Sequence, residues 1–261
     1  MTKALIGYTG FVGTTLLKQT KFDDFYRSTN INDIKGKKFD LVVCAGAPAK
    51  KWIANADPKG DQEIIDSLIA CLDSIECKTF VLISTVDVFK SPNGVDENSV
   101  IDVQDLHAYG LNRYRLEQFV AKRFPQHLIV RLPGLVGPGL RKNIIFDFLN
   151  ENNVEKIESR SIFQFYPMVN LWFDINIALE NKINLVHLTA APVSVAKIAR
   201  DGFNINFDVQ QAAQPVTYDM RSVYGPLYGG SEHYQYSVKD TVQAVRHYAQ
   251  SEPKKVQEYN K

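Results

Sequence analysis

The feature that most restricts the fold of this chain is a glycine-rich turn close to its N-terminus. Three glycines, spaced G-x-x-G-x-x-G, lie between a short apolar run at residues 3–8 and a stretch of helical periodicity at residues 11–18. In such a strand–turn–helix, the first glycine permits the tight turn, the second lets the backbone approach a pyrophosphate, and the third lets the helix pack closely. Phosphates bind the unpaired N–H groups at the positive helix end. The sequence therefore predicts a dinucleotide site formed by Gly7, Gly10, Phe11, Val12 and Gly13, the alternative being a turn that binds nothing.

Apolar runs typical of strands recur and alternate with helical patterns. The strand-like runs are at residues 24–27, 39–45, 79–84, 127–132 and 183–188, and the helical patterns at 61–73, 107–122, 143–150 and 170–180. Strands that are apolar on both faces, alternating with helices, indicate a parallel sheet covered on both sides. We predict an α/β, doubly wound parallel-sheet Rossmann fold forming one domain over residues 1–261. A small C-terminal substrate lobe is expected from parts of 134–170 and 190–250, with irregular structure over 203–230.

Composition excludes several classes of partner. Thirty basic residues balance twenty-nine acidic ones, so no net field attracts nucleic acid or an anionic membrane. The N-terminus reaches a glycine too early for a secretory signal, and no apolar run approaches the length of a membrane span. Three cysteines without metal-ligand spacing suit a reducing compartment. We expect a cytoplasmic protein with a small-molecule substrate and no metal, nucleic acid or membrane partner.

The residues after the second strand indicate which dinucleotide is bound. About twenty residues beyond the first glycine, NAD enzymes usually carry a carboxylate for the ribose 2′-hydroxyl. Arg27 and Ser28 occupy that place here. An arginine with a neighbouring hydroxyl suits a 2′-phosphate through charge-assisted hydrogen bonds. The sequence thus favours NADP over NAD, the alternative being a solvent-exposed arginine.

A tyrosine and an arginine share one face of the helix predicted at 107–122. Tyr109 and Arg113 are four residues apart, so the phenol and the guanidinium can point to one site. A fixed cation favours phenolate and lowers the tyrosine pKa, as an acid/base near neutral pH requires. Thr85 ends the preceding strand, where its hydroxyl would orient a substrate oxygen. His107 precedes Tyr109, and we expect it to cap the helix or lie on the surface.

Five segments occur in the order and spacing of the extended short-chain dehydrogenases/reductases. They are GYTGFVG, CAGAP, ISTVDVF, YGLNR and RLPGLVGPG, and the match ends near LWFDINIA, whose aspartate is Asp174. The chain therefore resembles the NAD(P)-dependent nucleotide-sugar epimerase/dehydratase group of that family. The resemblance implies a homodimer through paired helices, including the helix that bears Tyr109.

The same resemblance assigns roles to individual residues. Tyr109 would be the catalytic acid/base and Thr85 its hydroxyl partner. Arg113 takes the place of a lysine that bonds the nicotinamide ribose. The remaining cofactor contacts that it implies are Cys44, Ala45 and Gly46 along the cofactor and Pro133 near the nicotinamide.

Three departures from the family pattern limit these roles. Arginine differs from lysine in shape and reach, and Arg113 could instead form a surface pair with Glu117. Val86 replaces the first residue of the Asp-Glu pair that drives elimination in dehydratases, so dehydration is disfavoured, and Asp87 receives no role. The C-terminal part is short, and Gly134 stands where an asparagine is usual. Arg141 is a candidate contact for a substrate phosphate, the alternative being a solvated basic turn.

Two hypotheses of function follow. The first is an NAD(P)-dependent oxidoreductase or epimerase that acts on a hydroxyl or carbonyl of a nucleotide-sugar or similar polar metabolite, with Tyr109 as acid/base. The second is a non-catalytic NAD(P)-binding sensor or assembly protein with the same fold. The exchange at Arg113 motivates the second, whereas the joint presence of Tyr109 and Thr85 favours the first.

Overall fold

A computed structural model describes residues 2–211 and 214–254 of the chain. Residues 1, 212, 213 and 255–261 of the predicted domain lie outside the described part. The strands are β1 Lys3–Ile6, β2 Asp24–Tyr26, β3 Lys38–Cys44, β4 Glu76–Thr85, β5 Asn93–Val95, β6 His127–Leu132, β7 Gly134–Val136, β8 Ile162–Phe163, β9 Phe165–Pro167, β10 Leu185–His187, β11 Val193–Ser194 and β12 Asp219–Met220. The helices are α1 Phe11–Gln19, α2 Lys51–Ala56, α3 Pro58–Asp73, α4 Ala108–Arg123, α5 Ile144–Asn150, α6 Leu171–Glu180, α7 Val195–Phe203 and α8 Val238–Ser251.

The main sheet has six parallel strands in the order β10-β6-β4-β3-β1-β2. From β1 the chain steps outward to β2 and then returns to β3 on the other side of β1. Ligands of open α/β sheets bind outside the carboxyl ends of the strands at such a reversal. The topology therefore places a crevice at the ends of β1 and β3, where the glycine turn lies.

Alternate residues of the strands enter two separate cores, one on each face of the sheet. Ala4 and Ile6 pack with buried residues of α3 and α4, whereas Leu5 packs with buried residues of α1 and α6. Side chains alternate between faces along a strand, so strands covered on both sides are apolar throughout. The predicted α/β doubly wound parallel sheet is confirmed.

The C-terminal third contains more regular structure than its composition suggested. Helices α7 and α8 begin at Ser194 and Ser237, whose hydroxyls accept from backbone N–H groups three residues later. Both helices are amphipathic and bury only a narrow stripe, so their polar faces obscured the strand–helix alternation. Within 203–230, the part that the structure describes is mostly irregular, apart from β12 and a 3₁₀ turn at Gly225–Tyr228.

The described helices include none that is both long enough and apolar enough to cross a membrane.

A buried ion pair joins α4 to the centre of the sheet. Arg131 of β6 and Glu117 of α4 are 5% and 3% exposed, with Nη2 and Oε2 2.6 Å apart. Glu117 also accepts from the hydroxyl of Ser84, and Arg131 contacts the ring of His187. Burial, reinforced by Arg131, lowers the pKa of His187 to about 3, so this histidine is neutral. The pair fixes the position of the helix that carries Tyr109.

Removing one member of this pair should cost much of the protein's stability. Glu117→Leu leaves the Arg131 guanidinium buried without a counter-ion, and we expect a loss of about 3–5 kcal/mol in the free energy of unfolding. Urea titration followed by circular dichroism measures it. The control is Asp66→Leu, which breaks the partly exposed Arg115–Asp66 pair (2.9 Å) and should cost about 0–1 kcal/mol. Equal losses in the two variants would contradict the role given to the buried pair.

Candidate functional site

A cavity of about 1300 Å³ opens at the carboxyl edge of the main sheet. Its walls come from the turn after β1, the loop after β3, the ends of β4 and β6, the start of α4 and the segment before α5. This volume exceeds the roughly 300–1000 Å³ of most single-ligand pockets. The cavity has room for more than one small ligand. Of the predicted site residues, those that line it are Gly7, Gly10, Phe11, Val12, Arg27, Ser28, Ala45, Gly46, Thr85, Tyr109, Arg113 and Pro133.

The glycine turn is shaped by close backbone approaches. Gly7 has a φ of +82°, and a Cβ there would lie 2.3 Å from the carbonyl oxygen of Ala45. A Cβ on Gly13 would lie 2.2 Å from the carbonyl oxygen of Gly7, so this residue allows α1 to pack and does not itself line the cavity. Gly10 is the N-cap of α1 and provides no side chain to cap the helix. The first backbone N–H groups of α1 therefore begin at the cavity without a side-chain cap, as an anion site requires.

Arg27 and Ser28 lie at the exposed rim of the cavity, directly after β2. The Arg27 Nε–H donates to the Thr29 hydroxyl at 2.9 Å, and the Arg27 backbone N–H donates to Asn30 at 2.7 Å. These contacts hold the segment while leaving the terminal guanidinium nitrogens at the rim.

Of the three residues expected along the cofactor, Cys44 does not line the cavity, and its contact with a cofactor stays a prediction. Ala45 and Gly46 line the cavity, but the side chain of Cys44 is fully buried in the core between the sheet and α3. The physical reason is that Cys44 still belongs to β3, so its side chain follows the alternation of that strand. Burial raises the pKa of its thiol to about 11.

Tyr109 and Thr85 are brought together by a close packing of α4 against the end of β4. A Cβ on Gly110 would lie 2.1 Å from the carbonyl oxygen of Asp87, so only glycine lets the helix approach. The ring of His107 caps α4 by accepting from the Gly110 N–H at 2.9 Å, which confirms its predicted capping role. Burial raises the pKa of Tyr109, while Arg113, a hydrogen bond with Thr85 and the charge of Lys51 act in the opposite direction. Arg113 therefore acts in the expected sense, but the predicted net lowering is wrong because burial outweighs it.

Arg113 does not form the surface pair with Glu117 that its spacing allowed. Its guanidinium is 3% exposed, pairs with the buried Asp61 and donates to the carbonyl oxygen of Pro48. It also stacks on the ring of Tyr109, with Cζ 4.0 Å from the ring centroid. Glu117 is turned towards Arg131 instead. One atom of Arg113, Nε, is buried with no hydrogen-bond partner in the described structure.

Sequence reasoning missed a second polar group in the same cavity. Lys51 of α2 places Nζ 2.8 Å from Oδ1 of Asp87, and the Tyr218 hydroxyl donates to the same oxygen at 3.3 Å. All three line the cavity with Tyr109. Asp87 follows Thr85 by two residues and could have been selected on that ground. No local motif marks Lys51 or Tyr218, because both reach the site through long-range packing.

Arg141, the candidate contact for a substrate phosphate, is exposed and does not line the cavity, so its substrate contact stays a prediction beside the alternative of a solvated basic turn. The next residue, Lys142, lines it instead and donates to the carbonyl oxygen of Ala49. Gly134 cannot be replaced by the larger residue usual at this position, because a Cβ would lie 2.6 Å from the carbonyl oxygen of Gln164. Within residues 2–211 and 214–254, no group of three histidine, cysteine or acidic side chains is arranged to hold a metal ion.

No protein-family model and no curated protein matches the sequence. Solved structures match it over nearly the whole chain. dTDP-4-dehydrorhamnose reductase from Bacillus anthracis, in complex with NADP, is 18% identical, with a TM-score of 0.71 over 95% of this chain and 98% of that one. UDP-N-acetylglucosamine 4-epimerase from Methanobrevibacter ruminantium is 13% identical, with a TM-score of 0.74 over 95% of this chain and 97% of that one.

A dTDP-glucose 4,6-dehydratase from Streptomyces venezuelae, with NAD bound, is 14% identical, with a TM-score of 0.72 over 96% of this chain and 98% of that one. These enzymes belong to the extended short-chain dehydrogenases/reductases. The present chain therefore has their fold, as its motifs predicted.

The three glycines of the turn should differ in their effect on stability. Gly13→Ala forces the backbone of α1 away from Gly7, and we expect it to lower the free energy of unfolding by about 1–3 kcal/mol. Gly10→Ala has an ordinary φ of −78° and no atom closer than 3.4 Å, so its cost should stay below about 1 kcal/mol. Urea titrations of the two variants compare them. A larger loss in Gly10→Ala would refute the packing role assigned to Gly13.

Proposed function

We propose that this chain is an NADP-dependent oxidoreductase that interconverts a hydroxyl and a carbonyl on a nucleotide-linked sugar or a similar polar metabolite, as a reductase or an epimerase. One observation carries the proposal. Tyr109 and Thr85 share a single cavity with the glycine turn. A proton donor beside a dinucleotide cradle is the arrangement that carbonyl reduction needs.

The described residues fit a dinucleotide in three ways. The close packing at Gly7 and Gly13 leaves no room for a Cβ, so no side chain at these positions covers the backbone of the turn. The uncapped start of α1 can accept the pyrophosphate. The partnerless Nε–H of Arg113 is a buried donor on the cavity wall, and a ribose hydroxyl would satisfy it. When bound, the reduced cofactor supplies a hydride to the carbonyl carbon.

Arg27 and Ser28 would hold the 2′-phosphate of NADP at the rim of the cavity. Ala45, Gly46 and Pro133 would line the path towards the nicotinamide. The terminal guanidinium nitrogens of Arg27 make no hydrogen bond within the described residues, and residues 27–32, directly after β2, include no carboxylate to accept a 2′-hydroxyl. These features support NADP over NAD.

Tyr109 acts as the acid in the direction of reduction. A raised pKa keeps the phenol protonated at neutral pH, so Tyr109 can donate its proton to the carbonyl oxygen as the hydride arrives. Thr85 orients that oxygen with its hydroxyl. Arg113, fixed by Asp61 and stacked on the phenol ring, stabilises the phenolate left after the transfer. Oxidation of an alcohol needs the phenolate instead, so its rate should rise with pH.

The substrate class follows from the fold neighbours and from the cavity wall. The neighbours named above act on dTDP- and UDP-linked sugars. Elimination of water is disfavoured, because Val86 lines the cavity at the place of the acid and has no proton to give. Reduction and epimerisation differ in cofactor use. A reductase consumes one NADPH for each product molecule, whereas an epimerase leaves the cofactor unchanged.

The cofactor proposal predicts a preference that depends on one side chain. NADP should bind more tightly than NAD, and Arg27→Ala should weaken NADP by about 1.5–3 kcal/mol, roughly 10–150-fold, while leaving NAD unchanged. Isothermal titration calorimetry measures both ligands. Arg141→Ala is the matched control, since it removes the same charge outside the cavity. No binding of either dinucleotide would overturn the cofactor proposal, and an unchanged affinity in Arg27→Ala would overturn the 2′-phosphate contact.

Replacing the phenol hydroxyl tests whether the chain is an enzyme. Tyr109→Phe should lower kcat about 10²–10⁴-fold on the sugar 4-ketone or 4-epimer found by screening, with the affinity for NADP unchanged. A non-catalytic sensor would bind NADP and turn over none of these sugars. Normal turnover by Tyr109→Phe would end the acid/base proposal.

A further inference from the structure

The exchange at Arg113 leaves Tyr109 without a proton source on its own helix. Each carbonyl reduction takes one proton from Tyr109, and the phenolate must regain it before the next turnover. A guanidinium does not release a proton in proteins. Its Nη atoms are also occupied, by the Asp61 carboxylate and by the carbonyl oxygen of Pro48. Arg113 can stabilise the phenolate, but it cannot reprotonate it.

A second cation reaches the tyrosine from another element. Lys51 begins α2, and its ammonium group forms an ion pair with Asp87, with Nζ and Oδ1 2.8 Å apart. The other carboxylate oxygen of Asp87 accepts from the Thr85 hydroxyl at 3.5 Å. Thr85 and Tyr109 line the same cavity, and Thr85 lowers the pKa of the phenol. A series of groups with exchangeable protons thus leads from Lys51 through Asp87 and Thr85 towards Tyr109 along one wall of the cavity.

Lys51 is suited to exchange protons with water. Its side chain is 39% exposed, whereas Asp87 is 18% exposed. The Tyr218 hydroxyl donates to the same Asp87 oxygen as the Lys51 ammonium. A residue from the C-terminal part of the chain therefore also holds the carboxylate in place. An ammonium group that is partly exposed to solvent can donate a proton to Asp87 and regain one from water.

We propose that Lys51 supplies the proton that Tyr109 loses at each reduction, acting through Asp87 and Thr85. This proposal rests on the oxidoreductase function proposed above. Lys51 does not touch the substrate and acts through Asp87 and Thr85, so it is a positioning residue. It supplies the proton that Arg113 cannot release.

The protons balance over one cycle. Tyr109 gives its O–H proton to the substrate oxygen and becomes phenolate. The Thr85 hydroxyl proton passes to the phenolate, and Thr85 regains a proton from the carboxyl group of Asp87. The Lys51 ammonium places that proton on Oδ1 of Asp87, rotation of the neutral carboxyl group turns it towards Thr85, and the neutral lysine amine takes a proton from water. No oxidant or reductant beyond the dinucleotide is involved.

Several charged or titratable groups surround this route, and their effects on Tyr109 have opposite signs. Lys51 and Arg113 lower the pKa of Tyr109, and Asp87 raises it. Lys51 also lowers the pKa of His107 at the start of α4, and Asp87 raises it. The remaining titratable groups that line this part of the cavity are Lys50, Lys142 and Tyr218.

The first test needs no substrate. Tyr109 alone is labelled with 3-fluorotyrosine, and ¹⁹F NMR follows its ionisation with pH in the protein without cofactor. We expect Lys51→Met to raise the pKa of the labelled phenol, Asp87→Asn to lower it, and Lys51→Arg to leave it near the wild-type value. Lys59→Met is the control, since Lys59 is exposed on α3 and does not line the cavity. If Lys51→Met leaves the pKa where it is, Lys51 and Tyr109 are not coupled and the proposal fails.

The second test separates proton supply from charge. Arginine keeps the charge of Lys51 but does not release a proton. Lys51→Arg and Lys51→Met should therefore both lower kcat for NADPH-dependent reduction at least about tenfold, with KM nearly unchanged and with Lys59→Met at the wild-type rate. Wild-type turnover by Lys51→Arg would overturn proton supply and leave only an electrostatic role. Failure of the proposed function has a different signature, because the wild type would then show no turnover, or Tyr109→Phe would be as active as the wild type.

Discussion

The backbone of Gly7 packs closely against the loop after β3 and against α1, and these contacts shape one wall of the cavity. A Cβ on Gly7 would meet the carbonyl group of Ala45, and a Cβ on Gly13 of α1 would meet the carbonyl oxygen of Gly7. Because β1 and β3 can approach at their carboxyl ends, the chain reversal between them becomes a crevice lined by peptide groups. A side chain at Gly7 or Gly13 would push α1 outward and fill the space in which its N–H groups begin. The same close contact leaves the start of α1 open to the cavity, as the proposed pyrophosphate site requires.

The electrostatic environment of Tyr109 depends on burial as much as on the charged residues around it. Arg113 and Asp61 are both almost fully buried, and neither is tolerable there without the other. Their pairing fixes the guanidinium against the phenol ring and commits its Nη atoms to protein partners. The arginine therefore acts on the tyrosine as a fixed charge, and its buried Nε–H has no hydrogen-bond partner among the described residues. Burial of the phenol raises the pKa more than this charge lowers it.

Local signals predicted the fold and twelve of the residues that line the cavity. The glycine turn, Thr85 and Tyr109 each belong to a short motif at the junction of a strand and a helix, and the parallel sheet brings all such junctions to one edge. The burial of Cys44 away from the cavity could not be predicted, because one residue decides whether a strand end faces the core or the cavity. The alternative pairing of Arg113 with Glu117 does not form, because helical spacing does not reveal the stronger partner of Glu117 on β6. Lys51 and Tyr218 were missed because they reach Asp87 from segments distant in sequence.

The C-terminal segment that supplies Tyr218 is joined to the rest of the protein partly through buried polar groups. Glu97 accepts from the His187 backbone at 2.8 Å and from the Ser222 hydroxyl at 2.7 Å, and buried Gln164 is bonded to the backbone of Met220. Such groups are costly to leave unpaired, so they specify one docking position where apolar surfaces would tolerate several. That precision matters because Tyr218 must reach one oxygen of Asp87. The polar, loop-rich composition of this segment gave no clear helix or strand pattern in the sequence. The same polar groups hold the segment in one position, in which the Tyr218 hydroxyl reaches the cavity.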